Sequence, residues 1–438
     1  MAKYKTIAYI PSVVYRFLHI KEFFMRYMLS FCILAILPLI ATVPRRGFVL
    51  NQGGSPCVSI LDLSTNSVIT NLPVGSNPQA LAVTPDGAFL YVTNQNDDTV
   101  TVIDVASNSV KTTITSLDTQ PNALAITPDG RYVYVCCNVN GSDAGFCDII
   151  DTSSNQIITR TPIDGGPYGI VFTPDGTKAY IACVNGISIN VINTSSPSTK
   201  SVISLSGPPL VQDIAITPDG TKLFVPLLGV STMVVISTST NTIIKTFSDM
   251  LSSSPTALAI TPNGLQAFLV SSFPPYLVAV NTSSYAVDSS ITGITMKAWA
   301  LGITPNGKYV YVFTNPNEGS APNQIYVVDA KSHQFITTYP LEMGEGNSTG
   351  LQTIAMTGNK NQAYVVNFAS NSVSLIDEKR VLKTIQAGSQ PYAVVVTPKM
   401  ITPSPLSPVE RMIIQTLKEA AHDYSNRPLQ KAASESGY

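Results

Sequence analysis

One four-residue turn, Thr-Pro-Asp-Gly or a close variant of it, occurs eight times along the chain, each time directly after a short apolar run. The turns begin at Thr84, Thr127, Thr173, Thr217, Thr261, Thr304, Thr357 and Thr397. Successive turns are 43, 46, 44, 44, 43, 53 and 40 residues apart. A period of roughly 40–50 residues is typical of propeller blades and other repeat arrays, so this repeat constrains the architecture more than any single residue does.

Each repeat contains enough apolar runs for four short strands. In the copy that spans residues 121–158, apolar runs occur at 123–126, 132–136, 149–151 and 156–158. The first two are joined by the turn, in which proline fixes φ, aspartate bonds nearby backbone and glycine accepts a left-handed conformation. The remaining runs are separated by Ser, Thr and Asn clusters that favour turns. The pattern predicts an all-β fold of four-stranded antiparallel blades.

The two ends of the repeat region complete each other. No strand run follows the turn at Thr397, and residues 48–74 carry three runs that no turn precedes. If residues 391–396 supply the missing inner strand, the N-terminal and C-terminal strands share one blade and the ring closes without an open edge. This count predicts an eight-bladed propeller. A seven-bladed ring with one irregular copy is the alternative.

The second strand of each repeat carries a recurring tetrapeptide. It is Tyr91-Val92-Thr93-Asn94 in one copy and Tyr364-Val365-Val366-Asn367 in another. In these strands the chain resembles the YVTN-repeat, or surface-layer-type, β-propeller family. The resemblance covers nearly the whole ring and implies the fold, but it does not fix an activity. Lactonase propellers have similar Thr-Pro-Asp-Gly turns, and that likeness implies the alternative of an enzyme.

Composition argues against a nucleic-acid partner. The 438-residue chain has 26 basic and 27 acidic residues, which gives a net charge of −1, and only 12% of its residues are charged. A DNA- or RNA-binding protein needs a basic surface, so no nucleic-acid partner is expected. With so few charges, the surface must be rich in Ser, Thr and Asn, which suits an exported protein.

The ring is expected to span residues 47–399, with a leader or N-terminal anchor at 1–46. Residues 28–43 are apolar apart from Ser30 and Thr42. This run contains Pro38 and is short for a spanning helix, so it fits the core of a signal peptide with cleavage near Ala41. The sequence therefore predicts export to the periplasm, the cell surface or the medium. A retained anchor is the alternative, and membrane contact is expected through this segment alone.

The C-terminal region, residues 400–438, is predicted to be a proline-rich linker, an amphipathic helix and a disordered tail. Ser407-Pro408-Val409-Glu410 forms a capping box with proline at the first helical position. The helix should run to about His422, with Ile413 and Leu417 on its apolar stripe.

The sequence contains few residues from which a catalytic site could be built. The three histidines, His19, His333 and His422, lie in the leader, in an outer turn and in the tail. A histidine-based triad or metal cluster in the ring is therefore hard to assemble. The aspartates of the turns belong to separate blades and are explained by turn structure. No catalytic residue and no cofactor are predicted. Metal content stays open, because a cation held by backbone carbonyls has no linear signature.

A candidate binding site follows from the geometry of a propeller. The inner strands of all blades start at one mouth of the central channel, and polar or aromatic side chains at that point would form a ring. The repeat places there Gln79, Asn122, Tyr168, Gln212, Thr256, Trp299, Gln352 and Tyr392. Such side chains are typical of recognition surfaces, although they could also simply solvate the channel mouth.

Asp213 is the exception in a column that is otherwise small and uncharged. A carboxylate at a buried position needs hydrogen-bond partners. We expect it to bond backbone amides of a neighbouring blade, and a ligand role is the alternative.

Cys137 and Cys147 flank the loop between the second and third strands of one repeat. They could form a disulfide across the hairpin, and buried free thiols are the alternative.

From sequence alone, the chain is interpreted as an exported, monomeric and non-catalytic β-propeller that binds a protein or glycan partner in the cell envelope or outside the cell. The alternative is a lactonase-like or other hydrolase that uses the channel mouth.

Overall fold

The computed structural model describes residues 45–398, except for 118, 140–142, 206–209, 212, 229–231, 249–254, 273, 316–322, 342–353 and 359–360. This part of the chain contains strands and no helix. The predicted leader and C-terminal helix lie outside the described residues. Among the residues described, no helix is long and apolar enough to cross a membrane.

Thirty-three strands form eight antiparallel sheets. The first four sheets, numbered from the inner strand outward, are blade 1 with β4 (Pro78–Val83), β5 (Phe89–Asn94), β6 (Thr99–Asp104) and β7 (Ser109–Ile114); blade 2 with β8 (Pro121–Ile126), β9 (Tyr132–Asn138), β10 (Ala144–Asp151) and β11 (Gln156–Asp164); blade 3 with β12 (Pro167–Phe172), β13 (Lys178–Cys183), β14 (Ser188–Asn193) and β15 (Lys200–Ser204); and blade 4 with β16 (Leu210–Val211), β17 (Ala215–Ile216), β18 (Lys222–Leu228), β19 (Thr232–Ser237) and β20 (Thr242–Phe247).

The other four are blade 5 with β21 (Pro255–Ile260), β22 (Gln266–Ser272), β23 (Pro275–Asn281) and β24 (Val287–Ile291); blade 6 with β25 (Lys297–Ile303), β26 (Tyr309–Asn315), β27 (Gln324–Asp329) and β28 (Phe335–Pro340); blade 7 with β29 (Ile354–Met356), β30 (Ala363–Asn367), β31 (Ser372–Ile376) and β32 (Val381–Gln386); and blade 8 with β33 (Pro391–Val396), β1 (Arg46–Asn51), β2 (Cys57–Asp62) and β3 (Ser67–Pro73).

The two ends of the described chain meet in blade 8, as the repeat predicts. Strand β33 pairs antiparallel with β1, with Val394 opposite Val49. Inner strands of consecutive blades contact one another around the whole circle, and β33 touches both β29 and β4. The prediction of an eight-bladed ring closed by the two ends is confirmed, and the seven-bladed alternative is excluded.

The hydrophobic core lies between the blades. Each main cluster of buried side chains combines residues of two consecutive sheets, as in the cluster that joins Tyr134 and Cys147 of blade 2 with Ile181 of blade 3. Because both faces of every sheet are covered in this way, the second and third strands are apolar almost without alternation.

The recurrent turn is held by its threonine. The Thr84 hydroxyl donates to Asp86 Oδ1 at 2.5 Å and accepts the Phe89 N–H at 3.0 Å. Gly87 takes φ of 73°, a left-handed conformation that favours glycine. In blade 5, Asn263 replaces the aspartate and accepts the same threonine bond at 2.7 Å. The turn aspartates are therefore structural, as their spacing predicts.

A tyrosine in the second strand links each of several blades to the next. The Tyr91 hydroxyl donates to Asn155 Oδ1 of blade 2 at 2.7 Å, and Tyr180 bonds Asn241 of blade 4 in the same way at 2.7 Å. The acceptor asparagine has positive φ, which asparagine tolerates better than most residues. Blades 4 and 5 carry Phe224 and Phe268 in place of this tyrosine. The left-handed positions of the blades that follow them, blades 5 and 6, hold Tyr285 and His333 instead of asparagine.

Blade 8 lacks the tyrosine that forms this hydrogen bond in other blades. Its equivalent second-strand residue is Phe48, whereas the left-handed position of blade 1 still holds an asparagine, Asn108. The Asn108 Oδ1 atom is buried and has no hydrogen-bond partner among the described residues. The missing hydroxyl of Phe48 accounts for this.

We therefore predict that Phe48→Tyr stabilises the protein by about 1 kcal/mol, the usual net contribution of a hydrogen bond, because the new hydroxyl reaches Asn108. Denaturant unfolding measures the change. The matched control, Tyr91→Phe, should lower the free energy of unfolding, since it leaves Asn155 in the state that Asn108 has now. A Phe48→Tyr variant that is less stable than the parent would contradict this account of the blade contact.

Candidate functional site

A β-bulge at the start of the inner strands positions the predicted ring residues. In blade 3, Pro167 pairs with Cys183 and Gly169 with Ala182, so Tyr168 is left without an opposite residue. The same register shift occurs at or beside Gln79, Asn122, Thr256, Trp299 and Tyr392. A bulge turns its extra side chain out of the regular alternation. These residues are therefore aimed by the same local distortion in six blades.

A proline before the bulge lowers the free-energy cost of interrupting the strand pairing. The residue before the bulge is Pro121 in blade 2, Pro167 in blade 3 and Pro391 in blade 8. Proline has no N–H to lose from the ladder, so it is tolerated where pairing is interrupted. The preceding residue takes a left-handed conformation, with φ of 54° at Gln120 and 52° at Gln390. A left-handed residue followed by proline thus marks each of these bulges.

Four of the eight predicted ring residues line one cavity of about 170 Å³. They are Gln79, Asn122, Tyr168 and Tyr392, and Asp213 completes the polar lining. The remaining walls are small or aliphatic residues of the inner strands, such as Ala123 and Ile170. The cavity therefore lies at the inner strands of blades 8, 1, 2, 3 and 4.

Asp213 occupies a break in the inner strand of blade 4, between β16 and β17. Its carboxylate accepts the N–H of Ile214 at 2.7 Å and, with its other oxygen, the N–H of Leu258 at 2.7 Å. Leu258 belongs to β21, so the carboxylate joins two blades. The expected bond to backbone of a neighbouring blade is confirmed, and the same residue also faces the cavity.

Burial raises the pKa of Asp213 to about 7, although the two backbone N–H bonds act in the opposite direction. Tyr168 lines the same cavity and interacts electrostatically with Asp213. Burial, together with Tyr392 and Asp213, raises the pKa of Tyr168 to about 12, so its phenol stays protonated and remains a hydrogen-bond donor at physiological pH. The cavity thus combines a protonated phenol with a carboxyl group that changes charge near neutrality.

The two amides of the cavity are held in place by the fold. The Asn122 Nδ2 donates to the carbonyl of Pro167 in blade 3 at 2.9 Å, and the Gln79 Nε2 donates to Asn77 Oδ1 at 2.9 Å. These bonds fix each amide by its nitrogen. An amide oxygen carries two lone pairs, so each can accept a hydrogen bond from a ligand.

Two of the other predicted ring residues, Thr256 and Trp299, do not line this cavity. Thr256 is buried, and its hydroxyl donates to the carbonyl of Ala298 at 2.7 Å, which links blades 5 and 6. Trp299 is half-buried and packs on the core between blades 6 and 7. Gln212 and Gln352 lie outside the described residues. Among the described residues, the lining is therefore concentrated on the inner strands of blades 8 and 1 to 4, which the repeat alone does not predict.

Cys137 and Cys147 do not form a disulfide, and of the two readings that the sequence leaves open the structure shows buried thiols. In the β9–β10 hairpin Cys147 lies opposite Cys136, while Cys137 lies opposite Phe146. Since neighbours in a strand point to opposite faces, Cys137 packs between blades 1 and 2 and Cys147 between blades 2 and 3.

The structure assembles no metal-binding cluster in the part that it describes. Within residues 45–398, apart from the gaps given above, no group of three or more His, Cys, Asp or Glu side chains is placed to hold a metal ion. His333 contacts Gln266 at 2.9 Å and Phe268 edge-on, away from the cavity. Asp213 is the one carboxyl group among the described lining residues of the cavity.

Comparison with known proteins supports the fold. A sequence model of the family described as "Lactonase, 7-bladed beta-propeller" matches residues 59–144, a minor part of the chain. No curated protein matches.

Several solved structures share the architecture at low sequence identity. Hydrazine synthase of Kuenenia stuttgartiensis is 20% identical with a TM-score of 0.53, and the alignment covers 69% of this chain and 97% of that chain. The dihydro-heme d1 dehydrogenase NirN is 13% identical with a TM-score of 0.63, covering 81% and 75%. A functionally unknown protein from Desulfotomaculum acetoxidans is 14% identical with a TM-score of 0.56, covering 81% and 99%. At these identities the likeness concerns the fold alone. The chain is an eight-bladed β-propeller with a polar cavity in its channel.

The pH dependence of stability tests the environment of Asp213. Its folded pKa of about 7 lies above the ordinary value of 3.8 for an aspartate side chain, so the folded state binds an extra proton between these pH values. The contribution of Asp213 to the free energy of unfolding is therefore fully present below about pH 4 and is lost as the pH rises to about 7. Asp213→Asn does not titrate. We predict that the free energy of unfolding of the parent, minus that of Asp213→Asn, decreases from pH 4 to pH 7 and is constant above about pH 8. A difference that does not vary with pH would contradict the assignment.

Proposed function

We propose that this protein is an exported, non-catalytic binding scaffold that holds a hydroxyl-bearing group of a glycan or protein partner in its channel cavity. The observation that carries the proposal is the joint placement of Tyr168, Tyr392, Gln79, Asn122 and Asp213 on one cavity. Phenols donate and accept, the amide oxygens accept, and the carboxylate accepts from a hydroxyl. Aromatic faces with hydrogen-bonding tips beside amides suit polyhydroxylated ligands.

The size of the cavity limits what can enter. About 170 Å³ is below the roughly 300–1,000 Å³ of pockets that enclose a whole drug-sized ligand. The cavity therefore fits the tip of a larger partner, such as a terminal sugar or one polar side chain. Because the lining residues sit on inner strands and bulges rather than on long loops, the site is largely preformed, which reduces the entropy lost on binding.

The envelope or extracellular location is part of the proposal and depends on the apolar segment at residues 28–43. A low charged fraction of 12% is consistent with it. Sequencing of the mature N-terminus is the direct check, since a start near Thr42 supports export with cleavage and an intact Met1 supports a retained anchor.

A lactonase-like hydrolase is the second candidate. The family match at residues 59–144 favours it, and so does a carboxyl group that could act as a general base near neutrality. Against it, the described lining offers no cationic side chain to stabilise an oxyanion.

One set of variants distinguishes the binding function from catalytic turnover. We predict that Tyr168→Phe and Tyr392→Phe each weaken binding of the best ligand from a glycan array by about tenfold, because each removes one hydrogen bond worth about 1–1.5 kcal/mol. Isothermal titration calorimetry measures the change. Tyr309→Phe is the matched control, because Tyr309 is a half-buried tyrosine at the turn end of blade 6, and its loss should leave the affinity unchanged.

Hydrolysis of a panel of lactones by the same proteins is measured in parallel, and we expect the background rate. Lactone turnover that Asp213→Asn abolishes would overturn the non-catalytic proposal in favour of the hydrolase.

A further inference from the structure

Two buried thiols face each other in blade 2. Cys136 of β9 and Cys147 of β10 are directly opposite in the antiparallel pair, and both are fully buried. Their side chains lie on the same face of the sheet, in the cluster between blades 2 and 3, and the Cys147 thiol contributes to the raised pKa of Cys136. No other pair of directly opposed cysteines occurs in the described strand pairs.

The hydrogen-bond pattern of the hairpin shows which type of pair this is. At its two ends, Val139 donates to the carbonyl of Ala144 at 3.4 Å and Thr152 donates to that of Arg131 at 3.0 Å. In an antiparallel ladder, hydrogen-bonded and non-hydrogen-bonded pairs alternate. Cys136 is three positions from Val139, so Cys136–Cys147 is a non-hydrogen-bonded pair.

That pair type has the right spacing for a covalent bridge. The Cα atoms of a non-hydrogen-bonded pair are about 4.5 Å apart, and disulfides span Cα separations of about 4.4–6.8 Å. The bridge would therefore need little movement of the backbone. A shift of one residue, to Cys137, places the thiol on the other face of the sheet and removes the fit.

We propose that Cys136 and Cys147 are an oxidisable pair that forms a cross-strand disulfide during folding, by exchange with a small disulfide such as glutathione disulfide or with a disulfide oxidoreductase. One cysteine thiolate attacks a sulfur of the donor disulfide and releases the first thiol. The second cysteine thiolate then attacks the mixed disulfide and releases the other. The cysteine pair loses two electrons and two protons, and the donor becomes two thiols.

Burial of the two thiols determines at which stage of folding the disulfide can form. The thiolate is the reacting species, and burial raises the pKa of Cys136, so attack within the packed ring is slow. Cys183 of blade 3 lies in the same cluster and, like both members of the pair, is fully buried. The exchange therefore precedes the packing of blade 3 on blade 2, when the hairpin is formed and still open to solvent.

The test is oxidative refolding of the full chain. Reduced, denatured protein is refolded in a mixture of reduced and oxidised glutathione, free thiols are alkylated, and peptides are analysed by mass spectrometry without reduction. We expect a bridge to Cys147 that persists in Cys137→Ala and is absent from Cys136→Ala. Cys137→Ala is the matched control, because it removes the adjacent thiol and keeps the opposed pair. The oxidised parent should melt a few degrees higher than the same protein after reduction, since the bridge restricts the unfolded chain.

Two results would overturn the proposal. One is alkylation of Cys136 and Cys147 in a refolded parent that has native circular dichroism. The other is a bridge to Cys147 that survives Cys136→Ala and therefore uses another thiol. If Cys136→Ala does not fold, the parent decides alone: exposure of the native reduced protein to glutathione disulfide should give no bridge in buffer and the Cys136–Cys147 bridge in partially denaturing urea, and a different pairing there contradicts the proposal.

Discussion

Closure of the ring is the constraint on which the rest of this structure depends. A blade of four strands covers neither of its faces by itself, and the buried clusters here are each shared by two consecutive sheets. An open row of blades would expose one apolar face at each end. Pairing of β33 with β1 removes both ends at once, because blade 8 then packs on blade 7 and on blade 1. The contacts between blades, including the hydroxyl of Tyr364 on Asn66, become continuous around the axis.

The site is a consequence of this geometry. The inner strands surround the channel, and the bulge after a proline turns a side chain such as Tyr168 or Tyr392 toward it. Blade 4 differs, because its inner strand is broken and a carboxylate takes over the backbone N–H groups of Ile214 and Leu258. A regular repeat therefore supplies the scaffold, and its one irregular blade supplies the titratable group.

Most of the fold could be predicted from the sequence, because the features that fix it are local. The turn threonines, the glycines and the tetrapeptide of β5 each specify a strand or a turn within a few residues, and closure follows from the unmatched runs at 48–74 and 391–396. The face of the sheet on which a side chain lies is harder to predict from the sequence. The β9–β10 hairpin is an example, because Cys136 and Cys137 differ only in the face on which they lie, and it is Cys136 that lies opposite Cys147. The repeat also places eight residues at equivalent positions, but Thr256 and Trp299 bond or pack within the ring wall, which depends on neighbouring blades that the sequence pattern does not describe.

Native-state hydrogen exchange of the full chain tests ring closure most directly. Pro391–Val396 is predicted to pair with Arg46–Asn51, so peptides that cover these two strands should exchange as slowly as those that cover Phe89–Asn94 in a continuous blade. All three should lose protection together as denaturant is added, because they belong to one cooperative ring. Exchange of the 391–396 amides within seconds, while Phe89–Asn94 stays protected, would contradict the closed propeller.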